Sequence, residues 1–294
     1  MKMLSMKERY NEMKKHALPI SVTYAPPAVF TLPEGLRFLH EHGFDAMDIN
    51  FTAAVDTCGR NWKDMIDELK RVRDETGMIV VSGHLPFRGK TPEILDEKIK
   101  IAIEMGEALG IKRAVMHPVG DGKMAAGEEN QKYWHARNLE FYGKYIPLAD
   151  KAGFKLVTEN MRDAHKAEGC HRYASTADEL IDIADKLGLE ICWDFGHANE
   201  AGLDQYSELI KIGKRLTMTH INDNWRGEVD EHLPPFYGNG DWEGACRALR
   251  EIGYSNPLNF ELKFKQLPKQ IMPYAVDLAR GIGEYLLDMI FEEK

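Results

Sequence analysis

Short apolar runs recur along the chain at 20–24, 46–51, 79–82, 113–116, 155–158, 190–193, 216–219 and 258–260, each of strand length. Between them, apolar residues return at three- and four-residue spacing, as in Met65, Leu69 and Val72 or Leu180, Ile183, Ala184 and Leu187, which is the period of a helix. Gly43, Gly77, Gly110, Gly153, Gly188 and Gly253 stand just before strands, where a helix ends in a left-handed residue. Alternating strand and helix predicts a parallel sheet, and eight repeats at this length favour closure into a (β/α)8 barrel of the α/β class. The open doubly wound alternative is weakened because no Gly-rich phosphate fingerprint follows the first strand.

No composition shift or low-complexity linker divides the chain, so residues 1–294 read as one domain, with 128–153 as the longest connection. The last segment, 269–292, carries Ile271, Ala275, Leu278, Ile282 and Leu286 or Leu287 on one side. It is expected to close the barrel, with a homo-oligomeric contact as its alternative use.

Charge and cysteine content narrow the partners. Forty-seven acidic against thirty-eight basic residues give a net charge of −9, which repels polyanions and disfavours nucleic acid. Cys58, Cys170, Cys192 and Cys246 are widely spaced, so neither a disulfide framework nor a thiolate zinc site is indicated. The N-terminus lacks the apolar core of an export signal, and no run approaches bilayer-spanning length. The expectation is a cytoplasmic protein with no membrane partner.

Catalytic groups in such a barrel come from the C-terminal ends of the strands. The third strand leads into His84, the fourth into His117, the fifth into Glu159, the sixth into Asp194, the seventh into His220 and the eighth into Glu261. A lone His at a strand end is usually a hydrogen-bonded structural residue, and a lone Glu is often a solvated cap. Six in succession on one rim are hard to explain that way, because buried carboxylates are costly unless paired or metal-bound. Glu159, Asp194, His220 and Glu261 form an oxygen-rich, sulfur-free set suited to manganese, magnesium or zinc, with positions left for substrate oxygens.

With these motifs the sequence resembles the xylose isomerase-like barrels, which include ketose 3-epimerases, inosose isomerases and dehydratases and, more distantly, endonuclease IV. The resemblance covers the whole barrel. In the ketose 3-epimerases a Glu, Asp, His and Glu from the fifth to eighth strands hold the metal, which implies that role for Glu159, Asp194, His220 and Glu261. It implies substrate binding by His197, in Asp-x-x-His, and by Arg226, six residues after the metal His. The three-zinc cluster of endonuclease IV adds further ligands that match His84, His117 and Asp230-Glu231-His232. Against a nuclease stand the acidic balance and a rim whose only basic touch is 86–90. The favoured reading is that His84, His117 and His232 bind substrate hydroxyls or metal-bound water.

The resemblance implies a divalent-metal isomerase or epimerase, with manganese as the favoured ion and magnesium, cobalt or zinc as alternatives. The expected chemistry is proton transfer next to the carbonyl of a small sugar or polyol ketone, with Glu159 and Glu261 serving as both ligand and acid or base. Dehydration of an inosose-type ketone needs the same enolate and is the alternative; a metal-binding subunit without activity has no need of both glutamates. Phe87, Trp225 or Trp242 could wall the carbon skeleton, whereas Trp193 precedes Asp194 and should face away from it. The 226–239 loop carries one Arg among several acids, and Lys263 and Lys265 follow strand eight, which favours a non-phosphorylated substrate.

Overall fold

The computed structural model describes residues 18–24, 30–227, 229–264 and 267–291. The N-terminal decapeptide read for an export signal, and Lys265, lie outside the described residues.

Each apolar run is a strand: β1 (Ile20–Tyr24), β2 (Ala46–Asn50), β3 (Ile79–His84), β4 (Arg113–Met116), β5 (Lys155–Glu159), β6 (Glu190–Asp194), β7 (Leu216–His220) and β8 (Leu258–Phe260). All the pairs are parallel, in the order β7-β6-β5-β4-β3-β2-β1-β8. Between β7 and β8 the ring closes through a parallel bridge of Ile221 with Phe260, fastened by Ile221 N–H to Asn259 O at 2.8 Å and Glu261 N–H to Ile221 O at 3.1 Å. The eightfold barrel is therefore present, and the polar residues at the strand exits face one end of it.

The helices around the ring are α1 (Leu32–Glu41), α2 (Phe51–Cys58), α3 (Lys63–Thr76), α4 (Pro92–Leu109), α5 (Glu128–Lys151), α6 (Ala177–Leu187), α7 (Phe195–Glu200), α8 (Gln205–Ile212), α9 (Trp242–Glu251) and α10 (Met272–Phe291). The six glycines before the strands all have positive φ, from 65° to 84°. Phe51, expected to end β2, instead opens α2 because the Asn50 side chain accepts the Ala53 N–H at 3.1 Å and caps the helix. Strands β3, β5, β6 and β7 run to His84, Glu159, Asp194 and His220, so these side chains are held by the sheet itself.

The inward face of α10 differs from the expected one. Met272, Val276, Ala279, Ile282, Gly283, Leu286, Leu287 and Ile290 are buried, while Ile271 and Leu278 are 49% and 41% exposed. Gly283 decides the rotation: a Cβ there would lie 2.8 Å from Ile20 Cδ1. Arg280 joins the buried face because its Nε donates to Gly43 O at 2.8 Å and its guanidinium pairs with Glu284 at 2.5 Å. Among the described residues, no helix is long and apolar enough to cross a membrane.

Candidate metal centre

Period-two alternation explains which strand residues enter the barrel. Val115, Val157, Cys192 and Met218 form an apolar cluster of their own inside the ring. Two residues further along the same strands, His117, Glu159, Asp194 and His220 form the next layer, joined by His84 from β3 and Glu261 beyond β8. Glu159, Asp194 and His220 are fully buried.

Glu159, Asp194, His220 and Glu261 each offer one ligand atom, and these atoms all lie within 4.8 Å of one another. His220 Nδ1 lies 2.9 Å from Glu159 Oε1 and 3.3 Å from Glu261 Oε2. Asp194 is oriented from both sides: Oδ1 accepts the His197 N–H at 2.7 Å as the cap of α7, and Oδ2 accepts from Asn222 Nδ2 at 2.9 Å. Asn160 clamps the same strand end, its Oδ1 taking the Asp194 N–H at 2.6 Å and its Nδ2 donating to Asp194 O at 2.8 Å.

His84, Glu159 and His220 form a second, overlapping group with ligand-compatible spacing. His84 Nε2 and His117 Nε2 lie 2.7 Å apart, and Glu159 Oε2 is 3.1 Å from His117 Nε2 and 3.7 Å from His84 Nε2. His232 is held by two bonds, Nδ1 to Glu261 O at 2.8 Å and Nε2 to Asp230 Oδ2 at 2.7 Å, and its ring centre is 6.4 Å from that of His197. His197 donates from Nδ1 to Asn160 O at 2.8 Å, which leaves Nε2 available.

The electrostatics are those of a cation site. Burial opposes charge on Glu159, yet His220 and His117 hold its carboxyl well below the ordinary range. Burial likewise opposes the lowered state of Glu261, where His220 and His232 prevail. Asp194 is pushed up to about 6, by burial first and then by Glu159 and Glu261, against the pull of His197. Burial disfavours charge on His220, but Cys192, Glu159 and Glu261 raise it well above its ordinary value. The Cys192 thiol, pushed up to about 12 by burial, is neutral at neutral pH, so the carboxylates supply that pull. His84 is driven down to about 3 by burial and His117, and is a neutral imidazole.

Three carboxylates crowded into one buried place repel one another, and Asp194 shows that repulsion in its raised carboxyl. Glu159 Oε2 and His84 Nδ1 are buried without a hydrogen-bond partner. Orphaned acceptor atoms at the centre, with imidazole nitrogens turned toward them, fit a hard or borderline divalent ion.

Among the other expected site residues, Phe87 stacks at the rim with its ring centre 4.5 Å from His117 and 6.0 Å from His84. Trp193 faces away into the core and donates to Gln205 Oε1 at 2.8 Å. Trp242 is buried and donates to Asp223 Oδ2 at 2.9 Å, so it braces a loop and does not wall the site. Arg226 is exposed, with φ of 60°, and its Nε donates to Asn199 Oδ1 at 3.0 Å; among the described residues its guanidinium makes no hydrogen bond or ion pair with the four-residue group.

A family model described as xylose isomerase-like TIM barrel matches residues 36–281. The chain belongs to that family. It is 27% identical to an uncharacterised protein of Methanocaldococcus jannaschii over 88% of this chain and 89% of that protein. A probable endonuclease 4 of Shouchella clausii is 27% identical over 58% of this chain and 56% of its own length. An inosose dehydratase of Clostridium perfringens is 24% identical over 64% and 65%. Among solved structures, a D-tagatose 3-epimerase-like protein superposes with a TM-score of 0.69 at 22% identity, covering 93% of this chain and 98% of that one. A D-psicose 3-epimerase gives a TM-score of 0.70 at 14% identity, covering 92% and 99%. At these identities the structural likeness establishes the fold.

Several residues of the site were not singled out by the sequence reading. Asn160 follows Glu159, and Asn222 follows His220 by two, yet amides at strand ends carry no chemical signature of their own. Asp223 accepts from the N–H groups of Asn224, Phe236, Gly238 and Gly240 and from Trp242 Nε1, tying the whole loop after β7 to one carboxylate. The run Gly238-Asn239-Gly240-Asp241-Trp242 is the local mark of that loop: a Cβ on Gly238 would lie 2.3 Å from Asn224 O.

Proposed function

We propose that this protein is a divalent-metal-dependent isomerase or epimerase that moves a proton next to the carbonyl of a small ketose or polyol ketone. The observation that carries the reading is the convergence of Glu159, Asp194, His220 and Glu261, with ligand atoms within 4.8 Å of one another at the catalytic end of the barrel. These four hold the ion, with manganese favoured and magnesium, cobalt or zinc as alternatives. When bound, it supplies Lewis-acid polarisation of the substrate carbonyl and neutralises the three carboxylates.

The chain's own residues do the rest. Glu159, on β5, and Glu261, after β8, approach the centre from strands well separated around the ring, so one carboxylate can take a proton from one face of a bound carbon while the other returns it to the opposite face. His197 Nε2 is free to bond a substrate hydroxyl. His84 and His117 bind further hydroxyls, His232, whose two ring nitrogens are held by Glu261 O and Asp230, braces Glu261, Phe87 covers the carbon skeleton, and Arg226 closes the outer edge.

Incubation of the metal-loaded enzyme with ketoses, inososes and keto acids in deuterated water tests this reading. Solvent deuterium should appear at the carbon next to the carbonyl of at least one substrate, and its absence throughout the panel would refute proton transfer. In Glu261→Gln, provided metal is retained, exchange should persist for one epimer while interconversion stops. Loss of exchange for both would remove the two-base form and leave isomerisation or inosose-type dehydration.

The His84–His117–Glu159 contacts and the Asp230–His232 pair favour a second reading, a multi-ion endonuclease resembling the Shouchella clausii relative. The net charge of −9 weighs against binding a polyanion. Specific incision of abasic DNA at micromolar enzyme or below would promote it.

A further inference from the structure

The rim is not uniformly charged. On the side of β3 to β5, Arg172, after β5, lies within electrostatic reach of Arg88, after β3, and of Arg162, after β5. Arg162 is committed, with Nε donating to Glu200 Oε2 at 2.8 Å and a second bond to the other carboxylate oxygen. The other two are not. Among the described residues, the guanidinium of Arg172 has no ion pair or hydrogen bond, and its Nε is buried without a partner. Arg88 lies 4.9 Å above the Phe87 ring and makes no ion pair among the described residues.

The positions of both are set by the fold. The loops after β4 and β5 are stitched by a bridge of Ala125 with Cys170, by Ala126 N–H to Gly169 O at 2.9 Å and by His171 N–H to Met124 O at 3.0 Å. Asn138 clamps the start of the β4 loop with two bonds to Val119, both 2.8 Å. The Arg172 N–H is anchored on Asp163 Oδ1 at 3.0 Å, and its stem runs past Gly120 and Gly122, where a Cβ would come within 3.9 Å and 3.8 Å of it. Gly89 is pressed against the backbone of Leu95, where a Cβ would lie 2.6 Å from the Leu95 nitrogen, which fixes the loop that carries Arg88. Asp121 and Asp163 lie within electrostatic reach of Arg172, but neither forms an ion pair with its guanidinium: Asp163 is occupied by His171 and the Arg172 N–H, and Asp121 is exposed. Among the described residues, two guanidinium groups without an ion pair therefore stand on the β3–β5 side in a chain of net charge −9, Arg88 over the Phe87 ring that lies against His117 and His84, and Arg172 within electrostatic reach of Arg88.

We propose that Arg172, assisted by Arg88, binds an oxyanion, carboxylate or phosphate, at the end of the substrate remote from the reacting carbonyl. A planar guanidinium presents paired N–H donors that match either group, and a partly buried one without a partner is predisposed for it. The inference rests on the reading that the substrate sits in the ring of Glu159, Asp194, His220 and Glu261. It places the anion site on the β3–β5 side, away from the loops after β7 and β8 where basic residues are few.

D-fructose, D-fructuronate and D-fructose 6-phosphate differ only at the far carbon and serve as probes on the manganese-loaded enzyme. Calorimetric binding and solvent-deuterium exchange are both read, for the parent, Arg172→Met and Arg88→Met. The parent should bind one of the anionic ketoses roughly 10- to 100-fold more tightly than fructose, and Arg172→Met should collapse that ratio. Arg88→Met, at an exposed position that cannot compromise folding, should lower the ratio by a smaller factor in the same direction. Preference for fructuronate identifies a carboxylate, and preference for the phosphate ester identifies a phosphate. Equal binding of all three by the parent, or an unchanged ratio in both variants, overturns the proposal. If no ketose exchanges deuterium, the proposed reaction fails, while the binding ratios still decide the anion site.

Discussion

Beneath the ring of candidate ligands the barrel interior divides into two halves. Under β4 to β7 lie Val115, Val157, Cys192 and Met218, packed against one another. Under β8 and β1 to β3 lie Asn259, Ser21, Thr23, Asp48 and Ser82, all buried, with Asn259 Nδ2 donating to Thr23 Oγ1 at 2.8 Å and Ser82 Oγ donating to Asp48. The same inward positions thus carry an apolar floor on one side and a polar one on the other. Glu159, Asp194 and His220 stand on the apolar floor, where a low dielectric strengthens every charge interaction above it. On the polar floor, Ser21 Oγ, Asp48 Oδ2 and Asn259 Oδ1 lack hydrogen-bond partners, and burial pushes the Asp48 carboxyl up to about 6. The charged chemistry is concentrated over the half that cannot solvate it, where only a cation or an imidazolium can.

The largest expected effect comes from the apolar half. Glu159→Gln or Asp194→Asn should lower turnover by at least about a thousandfold and strip most bound metal, while circular dichroism shows a folded barrel. Metal content equal to that of the parent would show that the site over this floor is not the ion's.

Met218→Ala, which opens a cavity in the apolar floor, should cost about 2–5 kcal/mol of stability in denaturant unfolding. Asn259→Ala removes one hydrogen bond but also an unpaired oxygen, and should cost about 1 kcal/mol or less. Equal costs would erase the distinction between the floors.

Asp48 sharpens it through pH. Folded, its carboxyl keeps a proton up to about pH 6, whereas the ordinary value is 3.8. Between those values the unfolded chain binds fewer protons at this position, so its contribution to stability falls as pH rises. In metal-free protein, Asp48→Asn should lack a loss on the order of 3 kcal/mol that the parent suffers from pH 4 to pH 7. Parallel stability–pH curves for the two proteins would contradict the placement of Asp48 as a buried acid.

A smaller effect than loss of a ligand concerns its orientation. Asn222 donates to Asp194 Oδ2, and Asn222→Ala should weaken metal binding roughly 10- to 100-fold without unfolding the barrel, as metal titration would read. An unchanged affinity would mean that the cap on α7 suffices to hold Asp194.

Much of this was legible in the chain itself. Eight apolar runs, glycine stops before the strands, and a Glu, Asp or His immediately after an apolar run are local patterns, because the strand face that packs under the helices stays apolar until the strand reaches the rim. Period two then sends Glu159, Asp194 and His220 inward together. The inward face of α10 was not legible, because it follows from Gly283 meeting Ile20 and from Arg280 finding Gly43 O, contacts made across the length of the sequence. Arg172 had no signal either: its value comes from what its guanidinium lacks among the described residues, a hydrogen-bonded or ion-paired partner, and from lying within electrostatic reach of Arg88 on the loop after β3. Sequence determined which residues reach the rim, since that depends on local periodicity. Tertiary structure decided which charges are compensated there, since compensation is a property of distances between elements that no spacing along the chain encodes.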